Sequence, residues 1–289
     1  DVVSDKVYQY DKNGNQISET DSVTKSSHTM TYDAAGNMSR FVGKNDGSIE
    51  FTQENLYNGN GQRIRKTEAD DTVVYYYQGS SVIRTADATG TLTGRNLVGA
   101  SDDIISTTRG TDDEKLYVYT KDIRESTGNM VDQDGSSEVS YAYDDFGETE
   151  IRGNHNLYNQ VCYTGVIYDD TTGMYYLNAR YYDPEDASFL SQDTYRGESD
   201  DPQSLNLYAY CNNNPIIYTD PTGHFPWIAA AIWGYRAYKA YKTYKKIKKV
   251  YKVVKTVRKV RKAYKATKKV KRYYSKPKTV KKWRKYTRK

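Results

Sequence analysis

Cysteine and histidine are scarce in this chain, two of the first and three of the second among 289 residues, and the scarcity removes most thiol and metal chemistry from consideration. Cys162 and Cys211 both read as lying in strand-like apolar settings. That favours two buried thiols, while a disulfide between them is a question of geometry that spacing leaves open. His28, His155 and His224 are far apart with no close ligand pair, so a zinc site is not expected, and no metal or cofactor is assigned. Long apolar runs are missing as well. The most apolar stretch, Phe225 to Trp233, is too short for a membrane span. There is no initiator Met and no secretory signal, and the chain opens at Asp1 inside what reads as a repeat. We take it as the C-terminal piece of a longer protein, on which reading the missing signal is silent about export.

Phenylalanine is also rare, with 5 Phe against 31 Tyr. A conventional apolar core is therefore not expected. Tyrosine combines an apolar ring with a polar tip, so it packs on a pleated sheet while its hydroxyl reaches backbone or water. The last absence is the sharpest: no Asp or Glu occurs after His224, while about 26 of the 43 Lys and Arg do. An acidic body thus meets a wholly basic tail at His224, which marks a domain boundary.

What the body does contain is a degenerate repeat. Residues 7 to 20, 28 to 41 and 55 to 67 each run from an aromatic strand through a turn of Asp, Asn and Gly into a second strand. Asn13-Gly14, Gly36-Asn37 and Asn60-Gly61 are expected to supply the positive φ of tight hairpin turns. One hairpin cannot bury its own face, so successive ones must stack into a continuing sheet. The grammar persists less regularly to Glu148, with no convincing helix before residue 150. Asp33 and Asp144 stand just before turns and read as turn formers that bond local amides, in preference to metal ligands. Residues 149 to 162 lead into the next segment, and His155 reads as an exposed loop histidine.

Residues 163 to 223 organise the rest. Two tyrosine-rich runs, Met174 to Leu177 and Ala179 to Tyr182, alternate with Asp-Pro and Gly turns. The stretches TGMYYLNARYYDPEDASFLSQDTYRG and SLNLYAYCNNNPIIYTDPTGH resemble the RHS repeat-associated core, which closes the tyrosine-aspartate (YD) repeat shells of bacterial polymorphic toxins and related surface proteins. The resemblance covers sixty to eighty residues, roughly, with several motifs in order, and extends more weakly toward residue 1. It implies a mainly β fold: stacked YD-repeat hairpins (1–150) forming part of a spiralling β-shell, an RHS repeat-associated core (151–224), and a cationic α-helical tail (225–289).

The resemblance also implies a reaction. In shell-forming relatives the core is associated with self-cleavage after a DPxG motif by carboxylates acting as an aspartic-protease-like pair. The matching residues here are Asp220 to Gly223, with the scissile bond between Gly223 and His224. Two carboxyls must then share one proton, one accepting from water while the other donates to the carbonyl. Asp193 and Asp220 are the candidates, with Arg180 as an orienting cation. Two departures weigh against the reaction: Asp193 is followed by Thr194 where many relatives have Pro, and GESDDPQS lengthens the segment between the sites. Enzymatic activity stays open, and the bland alternative is that both aspartates only initiate turns.

The tail has helical preference, with no Gly after Gly234 and no Pro before Pro277. Ile247, Val250, Val253, Val254, Val257, Val260 and Tyr264 fall on one side at 100° per residue. Tyr235, Tyr238, Tyr241 and Tyr244 recur every three residues and wind around the cylinder, so a kink or separate helices near Tyr244 would reconcile the two patterns. Lacking Asp, Glu, His and Cys, the tail is not expected to be a catalytic toxin by itself. Lys245, Lys248, Lys252, Lys255, Arg258, Lys259 and Lys262 are candidates for an anionic partner: membrane or cell-wall polymer, nucleic acid, or the chain's own acidic shell. In the wall-associated toxins of Gram-positive bacteria a similar Tyr-Lys stretch precedes the toxin proper. The resemblance therefore implies a secreted or cell-wall-associated bacterial protein of interbacterial competition, with an immunity protein as a further partner. The alternatives are a surface adhesion module anchored by its basic tail, or a shell whose enzymatic activity is limited to cutting itself.

Overall fold

A computed structural model describes residues 4–69, 71–99, 103–110, 115–154, 157, 159–224 and 227–274. Two compact units divide at Ala237/Tyr238. The first holds an antiparallel sheet of 14 strands, β1 (Lys6–Tyr10) to β14 (Thr149–Gly153), each bonded to its sequence neighbours. Such an uninterrupted meander is what a hairpin repeat produces when each new hairpin adds to the edge left by the last.

The connections are built alike. At Asp11, Asp33, Asn58, Asp87, Asp122, Asp132 and Asp144 the chain makes a loop closed by a backbone bond from the Asp or Asn amide to the carbonyl four residues on. The same side chain accepts amides two and four residues ahead, as Asp33 does from Ala35 and Asn37 at 2.9 Å each. Glycine takes the left-handed position in most of them, with φ of 78°, 84° and 77° at Gly14, Gly36 and Gly61, and Glu125 takes it at 72° in the loop after Asp122. Asn13, Asn37 and Asn60 do not. Asp33 and Asp144 are thus turn-building residues bonded to their own loops.

Tyrosines that stand just before a turn reach back to the strand that follows an earlier loop. Tyr32 donates its hydroxyl to the Gln16 carbonyl at 2.9 Å, Tyr57 to Met38 at 2.8 Å, Tyr77 to Arg63 at 2.9 Å and Tyr143 to Thr127 at 2.8 Å. Phenylalanine would fill the same space and leave those carbonyls unmet, which accounts for the Tyr excess. Register shifts fall beside the tyrosines of these loops, between Thr31 and Tyr32, Leu56 and Tyr57, and Tyr76 and Tyr77. Each bulge adds right-handed twist and keeps a long sheet from lying flat.

Burial alternates along the strands: Tyr117, Tyr119, Val139 and Tyr141 are buried, whereas Leu116 and Val118 are exposed. Residues 160–224 pack on the buried face. Met30, Met38 and Phe41 of the sheet cluster with Met174, Tyr176, Tyr181 and Leu190. Farther along, Tyr117, Met130 and Val139 cluster with Tyr163, Tyr175 and Tyr182. Tyr163, Tyr175 and Tyr182 all donate to the loop after Asp144, at the carbonyls of Asp145, Gly147 and Phe146. Each such buried side chain contributes about 1.5–3 kcal/mol. This segment carries the short sheet β15 (Ile167–Asp169), β16 (Met174–Tyr176), β17 (Tyr181–Asp183) and β18 (Ser188–Phe189). Its helical turns, beginning at Tyr163, are the first among the described residues. Cys162 and Cys211 are buried and free, and burial pushes both thiols up. Cys211 lies not in a strand but in a helical turn, at a left-handed φ of 51°.

β19 (Tyr218–Thr219) pairs with β20 (Trp227–Ile228), and α1 (Ala229–Tyr274) follows. The helix runs unbroken through Tyr244, without the expected kink. Its tyrosine row winds around the cylinder together with partners four residues on: Lys242 lies over Tyr238, Lys245 over Tyr241 and Lys248 over Tyr244, at 4.7–5.7 Å. Val257, Val260 and Tyr264 of the apolar stripe are exposed. The side chains of Ile247, Val250, Val253 and Val254 lie outside the described set, as does His155.

Candidate active site

Asp193, Asp220, Arg180, Gly223 and His224, drawn from stretches up to 44 residues apart, meet in one place. Arg180 arrives on the reversal between β16 and β17, where Asn178 takes a left-handed φ of 65° and Leu177 donates its amide to the Arg180 carbonyl. Asp193 follows β18 and Asp220 follows β19. All three side chains are buried: Arg180 is 6 % exposed, Asp193 8 % and Asp220 2 %.

The guanidinium of Arg180 stacks on Phe189, 3.6 Å from the ring centroid. Its Nη2 donates to Asp193 Oδ2 at 2.7 Å and lies 3.8 Å from Asp220 Oδ2, and Nη1 donates to the Leu207 carbonyl at 3.0 Å. Nε donates to the carbonyl oxygen of Gly223. The arginine is therefore a stacked cation and a carboxylate partner at once, and it also holds the carbonyl of the implied scissile bond. Burial draws the Arg180 guanidinium below its ordinary range although two carboxylates oppose that.

Asp220 builds the loop it belongs to. Its Oδ1 accepts the amides of Thr222, Gly223 and His224 at 3.2, 2.9 and 3.2 Å and the Thr222 hydroxyl at 3.1 Å. Gly223 has φ +76°, and a Cβ there would lie 2.8 Å from the Leu177 carbonyl oxygen. Only glycine lets the backbone approach Arg180 so closely. Asp193 Oδ1 accepts the Tyr195 amide at 2.9 Å and lies 3.2 Å from His224 Nδ1. Burial opposes ionisation of Asp193, but the His224 and Tyr195 hydrogen bonds and the Arg180 charge hold its carboxyl below the usual range. Both aspartates do form local turns, as the bland reading had it, yet those turns face one another across a single guanidinium.

The lengthened segment leaves this geometry in place. Residues 197–204 fold back on themselves through Glu198 and Ser204, and Leu207 still accepts from Arg180 and from the Asp193 amide. A small cleft, lined in part by Asn37, Tyr57, Tyr176, Arg180 and Ser191, adjoins the arginine. Chemically, an ionised carboxylate and a guanidinium on a peptide carbonyl are parts that the addition of water to that carbonyl requires.

Two polar clusters escaped the sequence reading. Arg63, fully buried, forks onto Asp169 and touches Tyr181, with Lys66 3.4 Å from the same carboxylate and Gln53 at 3.1 Å. Burial alone would raise Asp169, but Arg63 and Lys66 overcome it and hold the carboxyl at about 2. The other groups Glu19, Asp183 and Asp186 within 4.8 Å. Lys6 contacts Glu19 at 3.3 Å and Asp186 at 2.9 Å, so an ammonium supplies the cation there. No local signal marks either cluster, because its partners are more than a hundred residues apart. The tail candidates Lys245, Lys248, Lys252, Lys255, Arg258, Lys259 and Lys262 are exposed on α1.

Comparison with known proteins agrees with this architecture. The Teneurin YD-shell family matches residues 100–216. The tRNA3(Ser)-specific nuclease WapA of Bacillus spizizenii is 34 % identical over 230 residues, 78 % of this chain and 9 % of that protein. The tRNA(Glu)-specific nuclease WapA of Bacillus subtilis subsp. natto is 32 % identical over 244 residues, 81 % of this chain and 10 % of that protein. The chain thus spans about a tenth of the length of these relatives. Among solved structures, TcdB2-TccC3-Cdc42 superposes with a TM-score of 0.54 at 18 % identity over 81 % of this chain and 14 % of that one, a likeness of fold.

Proposed function

We propose, from the premise that this chain is an RHS/YD-repeat protein similar to the C-terminal part of wall-associated polymorphic toxins of Gram-positive bacteria, that it carries a cationic C-terminal segment and frees it by hydrolysis between Gly223 and His224. The observation that carries this reading is the convergence of Asp193, Asp220 and Arg180 on that one peptide bond. Arg180 polarises the Gly223 carbonyl and stabilises the charge that develops on its oxygen, while an aspartate takes the proton of the attacking water. The protein is then a secreted or wall-associated component of interbacterial competition whose β-shell carries the tail until the cut.

The nuclease names of the relatives belong to proteins about ten times longer. Residues 225–289 contain no Asp, Glu, His or Cys, so the usual hydrolytic machinery is not assigned to them. A second reading rests on the exposed lysines of α1: after release the helix binds an anionic surface, be it membrane, wall polymer or nucleic acid. Leakage of anionic vesicles would favour a membrane-active tail, and salt-sensitive binding without leakage would favour an anchor. An immunity protein would be the partner of whatever the tail delivers.

The test of the principal reading is intact mass. The chain should yield a break after Gly223 that disappears in Asp193→Asn and Asp220→Asn variants. Recovery of only the whole chain under all conditions would leave the tail as a tethered binding helix.

A further inference from the structure

Hydrolysis by two carboxylates needs one of them neutral, to act as acid while the other acts as base. The site described above is poorly supplied with that acid. Asp220 Oδ1 already accepts three amides and a hydroxyl, one of those amides being that of His224, the nitrogen that must leave. Asp193 is bonded by Arg180 on one oxygen and by Tyr195 and His224 on the other. Donors so arranged favour the ionised form of each carboxylate. Arg180 does not give up its proton. Among the groups facing the bond, namely Asp193 after β18, Asp220 after β19 and Arg180 before β17, none presents a proton to the leaving nitrogen.

One titratable group remains, and it belongs to the segment that is cut off. The imidazole of His224 lies with Nδ1 3.2 Å from Asp193 Oδ1, and its side chain is 44 % exposed. We propose that His224 assists the cleavage of its own peptide bond, its imidazolium giving the Nδ1 proton to the departing backbone nitrogen.

This proposal rests on the cleavage reading given above. Its steps balance. Asp193 takes one proton from water, and the hydroxide formed bonds to the Gly223 carbonyl carbon as the carbonyl electron pair moves onto the oxygen held by Arg180. The pair returns, the C–N bond breaks, and the nitrogen of His224 takes the imidazolium proton to become an amine. Asp193 then passes the proton it gained to the neutral imidazole across their contact. Water and an amide have become a carboxyl group and an amine, with both side chains restored. An imidazolium is a common general acid for a departing nitrogen.

Cleavage of the 289-residue chain, followed by intact mass from pH 5 to pH 8, tests the idea. The unmodified chain should cut faster at pH 5 than at pH 8. His224→Gln should cut about 10²-fold more slowly at pH 5 and show little change across that window, and His224→Lys, which keeps a cationic donor, should recover part of the rate. A His224→Gln chain that cuts at the parental rate with the parental profile overturns the proposal while leaving the aspartates their role. Loss of cutting in Asp193→Asn alongside that result would locate the failure in the histidine alone. An unmodified chain that is never cut, or an Asp193→Asn chain cut as fast as the parent, overturns the cleavage reading and this proposal with it. Because the His224 side chain is half exposed, its replacement leaves the fold intact, and near-ultraviolet circular dichroism checks that.

Discussion

Arg63 and Arg180 each bury a guanidinium against an aspartate in the same unit, and they differ in what else the guanidinium touches. Arg63 meets Asp169, both fully buried, and its remaining neighbours are the rings and hydroxyls of Tyr75, Tyr176 and Tyr181. Arg180 meets Asp193, but it also bonds a peptide carbonyl, borders a cleft and approaches a second carboxylate. The first arrangement joins the meander to the core segment and contains nothing that can react. The second holds a bond between two charged groups of opposite sign. Burial of an ion pair is common to both, so burial alone does not mark a functional centre; what sets the second apart is a peptide bond within the charge pattern.

The sharpest way to break the comparison is to remove one member of the sealed pair. Arg63→Ala leaves Asp169 buried with only Lys66 opposite it, and should cost about 3–5 kcal/mol of stability. A urea unfolding curve reads this directly. A loss under about 1 kcal/mol would mean that the interior relaxes or admits water, and that the pair is not the lock described here.

Arg180→Lys should act on rate more than on stability. Lysine keeps a positive charge but loses the planar fork that reaches Gly223, Leu207 and Asp193 together. Cleavage should slow about 10²–10³-fold, read as the fraction of whole chain remaining with time, while unfolding shifts less than in Arg63→Ala. Equal effects of the two substitutions on stability, with no effect on cutting, would erase the distinction between the sites.

Acid should separate them by pH. Asp169 is held at about 2 when folded, against about 3.9 unfolded, so the stability it contributes is complete above pH 4 and lost as pH falls from 4 toward 2. The amount is about 2–3 kcal/mol. Asp183 runs the other way. Burial, with Asp186 and Glu19 nearby, pushes it up to about 7, so stability falls as pH rises from about 4 to 7. Urea midpoints from pH 2 to 8 should therefore peak between these windows, and Asp183→Asn should flatten the upper one.

The meander and the site also differ in how far each was readable from sequence. The meander is encoded locally: Asp33 to Asn37 contains every partner of its own loop, and Tyr32 precedes it. Even there, the Asn-Gly pairs locate the turns and their positive φ but not the length of the loop, which the carboxylate of Asp33 sets. Asp193, Asp220, Gly223 and His224 were found only through a family resemblance that supplied their pairing. Arg180 could be named, but not its bond to the Gly223 carbonyl, which lies 43 residues on and depends on how the chain between them folds back. Arg63 and Asp169 had no signal at all. They are 106 residues apart, and an arginine in a repeat strand reads as a surface cation until the core segment is laid over it.

The smallest effect tests the local end of this contrast. Asp33→Ala removes a carboxylate that accepts the amides of Ala35 and Asn37 and the side-chain amide of Asn37. The loop is exposed, so water replaces most of what is lost, and the cost should be about 1 kcal/mol. Hydrogen exchange should quicken at Gly36 and Asn37 and stay unchanged at Arg63 and Asp193. If protection were lost across the whole sheet, the repeats would be stabilised by coupling along the meander more than by their own loops. The local reading of the sequence would then have worked only because every repeat supports its neighbour through the tyrosine that joins them.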